Sequence, residues 1–221
     1  MKKFMLLSAA AGLALVGCQT ADPYTGQPKT SNATWGAVIG ALGGAAAGAL
    51  TNTSHGNQAA KNALIGAGIG ALAGGAVGSY MDQQEAELRQ KLAGTGVSVT
   101  RNGDQIILNM PSDITYDLNR ADVKAGFYPV LGSVAAVIKH FNKTVVNVDG
   151  YTDTSGSSDH NMSLSQERAN SVGSYLISQG VMAQRLVVSG HGETSLKVST
   201  ADNVQNAANR RVEIHLSPLT T

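Results

Sequence analysis

Residues 144–192 constrain the fold of this chain more than any other stretch. A β-branched run, TVVNVDGY at 144–151, precedes a segment with helical spacing at 158–179. A second strand-like run, RLVVSGHG, follows at 185–192. A strand, a helix and a strand in this order predict two parallel strands joined by a right-handed crossover.

Further strand and helix patterns flank this unit, at 97–101, 105–110, 126–141 and 210–216. Asn102-Gly103 lies between the first two and indicates a hairpin turn. The connector before the last strand includes 201–208, which we interpret as a short helix. Two main helices over one mixed sheet, with a βαβαβ core, predict a two-layer α+β sandwich over residues 95–219.

Polar side chains are grouped where the strand at 144–151 turns into the next helix. Asp153 falls in the loop, and Asn161, Leu164 and Arg168 share one stripe of the helix. A carboxylate, an amide and a guanidinium therefore converge at this corner. A guanidinium binds a carboxylate bidentately, and Asp153 accepts from a ligand ammonium, from Arg168, or from both. The corner suits a small zwitterion with an ammonium and a carboxylate.

The first residues have the pattern of an export leader. Lys2 and Lys3 precede an apolar run at 4–16, which is too short for a comfortable membrane span. We therefore interpret residues 1–17 as a signal peptide that is removed on export.

The end of this leader, LVGC at 15–18, resembles the bacterial lipobox. The resemblance implies cleavage before Cys18 and acylation of Cys18, which anchors the chain stably because each buried methylene contributes about 0.8 kcal/mol. Gln19 favours the outer membrane, again by resemblance. Residues 18–34 are polar and contain two prolines, so they are expected to form a lipidated tether.

Glycines recur at every fourth position in residues 35–81, from Gly36 to Gly48 and again from Gly66 to Gly78. Each set lies on one helical face and allows another helix to approach closely. The simplest arrangement is a helical hairpin packed through its glycine faces. Three alternatives remain open: a membrane-inserted or membrane-lying hairpin, a homo-oligomerising glycine zipper in the periplasm, and a loosely ordered spacer.

The composition changes sharply after Met81. Residues 82–94 begin with DQQEAELRQKL, a charged and strongly helix-forming segment that Gly94 ends. We interpret it as a solvated helical arm, with the domain boundary immediately behind it.

Composition excludes several classes of function. The formal charge is +1, with no polybasic run for nucleic acid, and a single Cys excludes an intrachain disulfide. Neither G-x-S-x-G nor H-E-x-x-H occurs. The histidines show no metal-ligand spacing with Cys or carboxylates; they are His55, His140, His160, His191 and His215. We therefore expect no enzyme activity, no metal and no cofactor.

Three motifs resemble the OmpA-like peptidoglycan-binding domain, and the resemblance covers about residues 97–217. They are YTD at 151–153, N-x-x-L-S-x-x-R-A at 161–169 and NRRVE at 209–213. With its lipobox and glycine repeats, the full chain resembles the YiaD-type outer-membrane lipoproteins. The resemblance implies a βαβαββ-like two-layer sandwich whose ligand is the peptide stem of uncrosslinked peptidoglycan, chiefly meso-diaminopimelate.

The resemblance also assigns roles to residues at this corner. Asp153 and Arg168 are implied as the main ligand residues, and either Arg210 or Arg211 is implied to stand nearby. The other implied members line or border the pocket: Asn161, Leu164, Tyr116 and Asp117. Residues 195–206 depart from the family's pattern, which puts in doubt any contact supplied from this connector.

The sequence thus predicts a non-enzymatic outer-membrane lipoprotein with its globular domain in the periplasm. Lipid at Cys18 holds the outer membrane while the C-terminal domain binds peptidoglycan and tethers the membrane to the wall. The alternative is an oligomer-forming membrane protein in which the glycine zipper carries the function and wall binding only positions it.

Overall fold

The computed structural model describes residues 19–21, 28–30, 70–117 and 119–220. The predicted leader, the predicted lipidation site Cys18 and most of the glycine-repeat region lie outside these ranges. Within the predicted tether, strand β1 (Gln19–Ala21) pairs antiparallel with strand β2 (Pro28–Thr30).

Helix α1 (Gly75–Leu92) joins the end of the glycine repeats to the charged segment. The predicted helical hairpin over 35–81 was wrong for residues 70–74, which are not helical. Leu72 lies instead beside the C-terminal end of the chain, where its N–H donates to the Leu219 carbonyl at 2.7 Å. The Leu72 N–H is therefore not used in a hydrogen bond within a helix.

The charged segment is helical up to Leu92, as predicted, but it is not a solvated arm. Met81 and Leu88 are fully buried, and Leu92 is nearly so. Helix α1 packs against the helix Tyr128–His140 and against the strands Ser98–Asn102 and Gln105–Pro111. The prediction failed because Leu88 and Leu92 lie among charged residues and yet share one helical face with Met81.

The C-terminal part is a five-stranded sheet in the order β3-β4-β7-β5-β6. Only β5 and β6 are parallel, as the strand–helix–strand pattern predicted, and the other neighbours are antiparallel. The strands are β3 (Ser98–Asn102), β4 (Gln105–Pro111), β5 (Thr144–Tyr151), β6 (Leu186–Gly190) and β7 (Arg211–Pro218). The predicted α+β class with helices on a mixed sheet is confirmed.

Three further helices follow the hairpin β3–β4. They are α2 (Ser112–Thr115), α3 (Tyr128–His140) and α4 (Ser158–Ser178). Single 3-10 turns, Ala125–Phe127 and Ala183–Arg185, precede α3 and β6. The predicted helix over 201–208 was wrong: backbone N–H groups there bond to side chains of the β5–α4 loop instead of to one another.

The core lies between one face of the sheet and the long helices. Alternate strand residues point into it, and β7 shows the predicted alternation most clearly, with Val212, Ile214 and Leu216 fully buried. Leu131, Val134 and Ile138 of α3 pack from the helical side. Among the described residues, no helix combines the length and apolar character needed to cross a membrane.

Candidate functional site

A cavity of about 430 Å³ opens where β5 runs into α4. Its walls come from α2, the loop behind β5, the first half of α4 and the end of the connector before β7. All the predicted ligand residues line it: Tyr116, Asp117, Asp153, Asn161, Leu164, Arg168 and Arg210. The structure therefore brings together residues that the sequence places up to about a hundred positions apart.

Two glycines set how closely α4 approaches the sheet. A Cβ atom on Gly150 would lie 2.9 Å from the carbonyl carbon of Ser165 and closer still to its oxygen. A Cβ atom on Gly190 would lie 2.6 Å from Cα of Gln166. The strands thus contact the helix backbone directly, and this contact fixes the height of Asn161 and Arg168 above the sheet.

Asp153 is buried in this corner and accepts four hydrogen bonds. The amide and the hydroxyl of Ser155 donate to Oδ1. The amide of Asn206 donates to Oδ2 at 3.0 Å, and Nη1 of Arg210 donates to Oδ2 at 2.8 Å. Burial raises the pKa of Asp153, but these donors outweigh it and hold the pKa below its usual value. Asp153 is therefore a carboxylate at neutral pH.

Arg168 does not pair with Asp153, a pairing that the sequence permits but does not require. Its Nε donates to the Arg120 carbonyl at 3.0 Å, and its guanidinium lies 5.1 Å from the centre of the Tyr116 ring. Nη1 of Arg168 is buried and has no hydrogen-bond partner in the part of the chain that the structure describes. Burial lowers the pKa of Arg168, yet the group stays cationic because an arginine pKa lies so high. An unpaired buried donor is costly and favours an acceptor from a ligand.

Asn161 and Tyr116 support these two residues. The side-chain amide of Asn161 donates to the backbone oxygens of Asp153 and Ser155, and to Oε2 of Glu193 at 2.7 Å. The hydroxyl of Tyr116 donates to the Arg168 carbonyl at 2.8 Å. Both side chains thus hold the loop and the helix in position.

The rim of the cavity is charged and partly open to solvent. The Asp117 side chain is largely exposed and lies 3.7 Å from Nζ of Lys124. Leu164 contributes an apolar wall and is 7% exposed.

The choice between the two arginines of NRRVE falls on Arg210. Arg210 lines the cavity, whereas the Arg211 guanidinium stacks 3.8 Å from the centre of the Tyr151 ring and pairs with Glu213 at 2.7 Å. Arg210 precedes β7, whereas Arg211 is the first residue of that strand and is absent from the cavity lining.

Sequence reasoning missed several residues of the lining. Asp113 lies in α2 and pairs with Arg210 at 3.1 Å, and Ser155 shares the Asp153 carboxylate. Gln205 comes from the connector that departs from the family's pattern. No local spacing marks Asp113 or Gln205. Ser155, two residues after Asp153, has the spacing of an Asx turn and was detectable. Within the described ranges, no group of three or more His, Cys, Asp or Glu is placed to hold a metal.

This topology and motif set define an OmpA-type domain. The OmpA family model matches residues 115–210, and the YMGG-like Gly-zipper model matches residues 1–82. The chain is 50% identical to the protein named "Probable lipoprotein YiaD" from Escherichia coli (strain K12), over 99% of this chain and 100% of that protein. The chain therefore belongs to the family of this lipoprotein, in which an OmpA family domain follows a glycine zipper.

More distant relatives share the C-terminal domain. Outer membrane protein P5 of Haemophilus influenzae is 36% identical over 115 residues, which cover 48% of this chain and 32% of that protein. The cell wall anchor of the T6SS from Pseudomonas aeruginosa is 27% identical with a TM-score of 0.53, covering 61% of this chain and 99% of that one. A MotB like protein from Desulfovibrio vulgaris, 23% identical with a TM-score of 0.56 over 64% of this chain and 93% of that one, shows the same fold. None of these names describes an enzyme.

Proposed function

We propose that this chain is a non-enzymatic outer-membrane lipoprotein that binds the diaminopimelate residue of a peptidoglycan stem peptide. The observation that carries the proposal is that Arg168 and Asp153 line one cavity, and that the buried Nη1 of Arg168 has no partner among the described residues. The relatives support association with the cell wall, since one is named as a cell wall anchor and another as a lipoprotein.

The free end of diaminopimelate carries an ammonium and a carboxylate on one carbon. The carboxylate completes the hydrogen bonding of Arg168, and the ammonium donates to Asp153. Leu164 offers an apolar wall to the methylene chain between the two ends of the residue. A peptide end without the carboxylate would leave the buried Nη1 of Arg168 without an acceptor, and one without the ammonium would lose its contact with Asp153, which gives discrimination.

Binding at this site, combined with a lipid on Cys18, tethers the outer membrane to the wall. The leader and the Cys are predicted from the sequence, and the match to a lipoprotein over the full chain supports them. Acyl chains on Cys18 hold one end in the membrane, and the OmpA-type domain holds the other end on peptidoglycan.

Pull-down on purified sacculi tests the proposal with the full chain in detergent. Asp153→Asn with Arg168→Gln is expected to abolish binding, because both charged contacts to the zwitterion are lost. The matched control is Asp122→Asn with Arg120→Gln, which changes the same charges on exposed side chains outside the cavity. If both double variants are retained on sacculi to the same extent, the proposed binding site is wrong.

A second candidate is the oligomer-forming glycine zipper, which the match of the Gly-zipper model to residues 1–82 favours. Its test is a deletion of 35–69. The deletion stops there because Leu72, Val77 and Met81 belong to the core of the C-terminal part. If the chain without residues 35–69 keeps membrane anchoring and wall binding but no longer supports the cellular phenotype of the full chain, the function belongs to the zipper.

A further inference from the structure

The carboxylate of Asp153 has no free acceptor position. A carboxylate offers about four lone-pair sites, and here four donors occupy them. They are the amide and hydroxyl of Ser155 on Oδ1, and the amide of Asn206 and Nη1 of Arg210 on Oδ2. A ligand ammonium therefore has to replace one of these donors.

Charge favours the release of Arg210. If the ammonium replaces the guanidinium, the buried carboxylate still faces one cation. If it replaces the neutral hydroxyl of Ser155, two cations converge on a single carboxylate close to Arg168. The two backbone amides belong to the loop and to the connector, so their release requires the backbone to move.

Arg210 also has a second acceptor already in contact. Its Nη2 lies 3.1 Å from Oδ1 of Asp113, whose side chain is 61% exposed. The Arg210 side chain is itself 22% exposed, and its guanidinium is the one charged group among the four donors to Asp153. A small rotation lets Arg210 bind Asp113 with both terminal nitrogens, a geometry that guanidinium and carboxylate groups prefer.

We propose that Arg210 is a stand-in cation that occupies Asp153 in the empty site and is displaced onto Asp113 by the ligand ammonium. The inference rests on the proposed function, because it concerns the ammonium-binding half of the same site. Arg168 needs no such exchange, since none of the described residues bonds to its Nη1. Arg210 and Asp113 thus set how strongly the site prefers a zwitterion to a simple carboxylate, with Asp113 as a positioning residue.

Two synthetic stem peptides separate the ammonium from the carboxylate. The first is L-Ala-γ-D-Glu-meso-diaminopimelate, and the second carries 2-aminopimelate in place of diaminopimelate, so that only the ammonium at the free end is missing. Calorimetry on the full chain in detergent gives the affinity for the first peptide divided by the affinity for the second. This ratio isolates the contribution of the ammonium.

Arg210→Gln is expected to raise this ratio about tenfold, because the ammonium no longer competes for Asp153. Asp113→Asn is expected to lower the ratio, because the displaced guanidinium loses its acceptor, and Asp113→Glu is expected to restore it. Ser155→Ala is the matched control: it removes a neutral donor from the same carboxylate and does not raise the ratio.

The inference is overturned if Arg210→Gln leaves the ratio unchanged, or if Ser155→Ala raises it instead. If Arg210→Gln loses its native circular dichroism, the test passes to Asp113→Asn, which changes an exposed side chain. An unchanged ratio in Asp113→Asn then overturns the proposed exchange. If the wild-type chain binds neither peptide, the proposed function itself fails and this inference fails with it. Binding of the first peptide with unaltered ratios refutes only the role of Arg210.

Discussion

Gly150→Ala tests whether the contact between β5 and α4 holds the site together. The added methyl carbon would lie 2.9 Å from the Ser165 carbonyl carbon, whereas unbonded carbons rest about 3.5–4.0 Å apart. Both atoms belong to regular structure, so no side chain can rotate away. Helix α4 must therefore shift by roughly 1 Å, and Arg168 and Asn161 shift with it.

Overpacking of this kind costs about 1–3 kcal/mol, and a backbone clash places Gly150→Ala at the upper end of that range or above it. Urea unfolding of the full chain in detergent, followed by circular dichroism, measures the loss. The control is Gly126→Ala, where the new methyl group meets no atom of the described residues within 4 Å. We expect Gly126→Ala to stay within about 0.5 kcal/mol of the wild type. A Gly150→Ala chain as stable as this control would refute the argument that direct backbone contact positions α4.

Two further predictions concern groups outside the cavity. Arg185 is buried and donates to the carbonyl oxygens of Ile138, Phe141 and Thr144. Arg185→Met leaves these acceptors unpaired and is therefore expected to destabilise the chain by about 3 kcal/mol or more in the same urea assay. A loss below about 1 kcal/mol contradicts this role of Arg185. Burial raises the pKa of Glu213, but hydrogen bonds from His215 and Arg211 outweigh it and lower the pKa to about 2 from an ordinary 4.5. The stability that Glu213 contributes is therefore complete above pH 4.5 and is lost as the pH falls towards 2. Glu213→Gln is expected to flatten the fall of unfolding free energy across this interval, whereas the exposed Glu167→Gln keeps the wild-type slope.

Local pattern predicted the parts of the fold in which residues close in sequence share one environment. The alternation in RRVEIHL indicated a strand with one buried face, and β7 has this form. The stripe of Asn161, Leu164 and Arg168 predicted that these side chains would lie together, and all three line the cavity. Such periodicity reports on burial, because the same spacing recurs along one element.

Contacts between distant segments were beyond this kind of reasoning. Asp153 pairs with Arg210 rather than with Arg168, and Arg210 pairs with Asp113, which is 97 positions away. Nothing in local spacing distinguishes these partners, because they depend on which strands are neighbours. The order of β4, β7 and β5 in the sheet brings α2, Arg210 and the β5–α4 loop to the same edge.

Gly150 illustrates a pattern that was present in the sequence and was not used. A glycine inside a β-branched strand often marks the close approach of another backbone, and here that backbone is α4. The apolar stripe of α1 was overlooked for a different reason. Charged residues dominate its composition, although Leu88 and Leu92 lie on one face and are buried.

Thermal unfolding with the stem tripeptide tests the central claim most directly. A ligand that binds only the native state raises its stability by about 2.7 kcal/mol at a hundredfold excess over the dissociation constant. We predict that L-Ala-γ-D-Glu-meso-diaminopimelate raises the melting temperature of the wild-type chain. The same peptide with the carboxylate at the free end of diaminopimelate amidated is expected to have no effect, since Arg168 would have no anionic acceptor. A melting temperature that rises equally with both peptides, or with neither, contradicts the account.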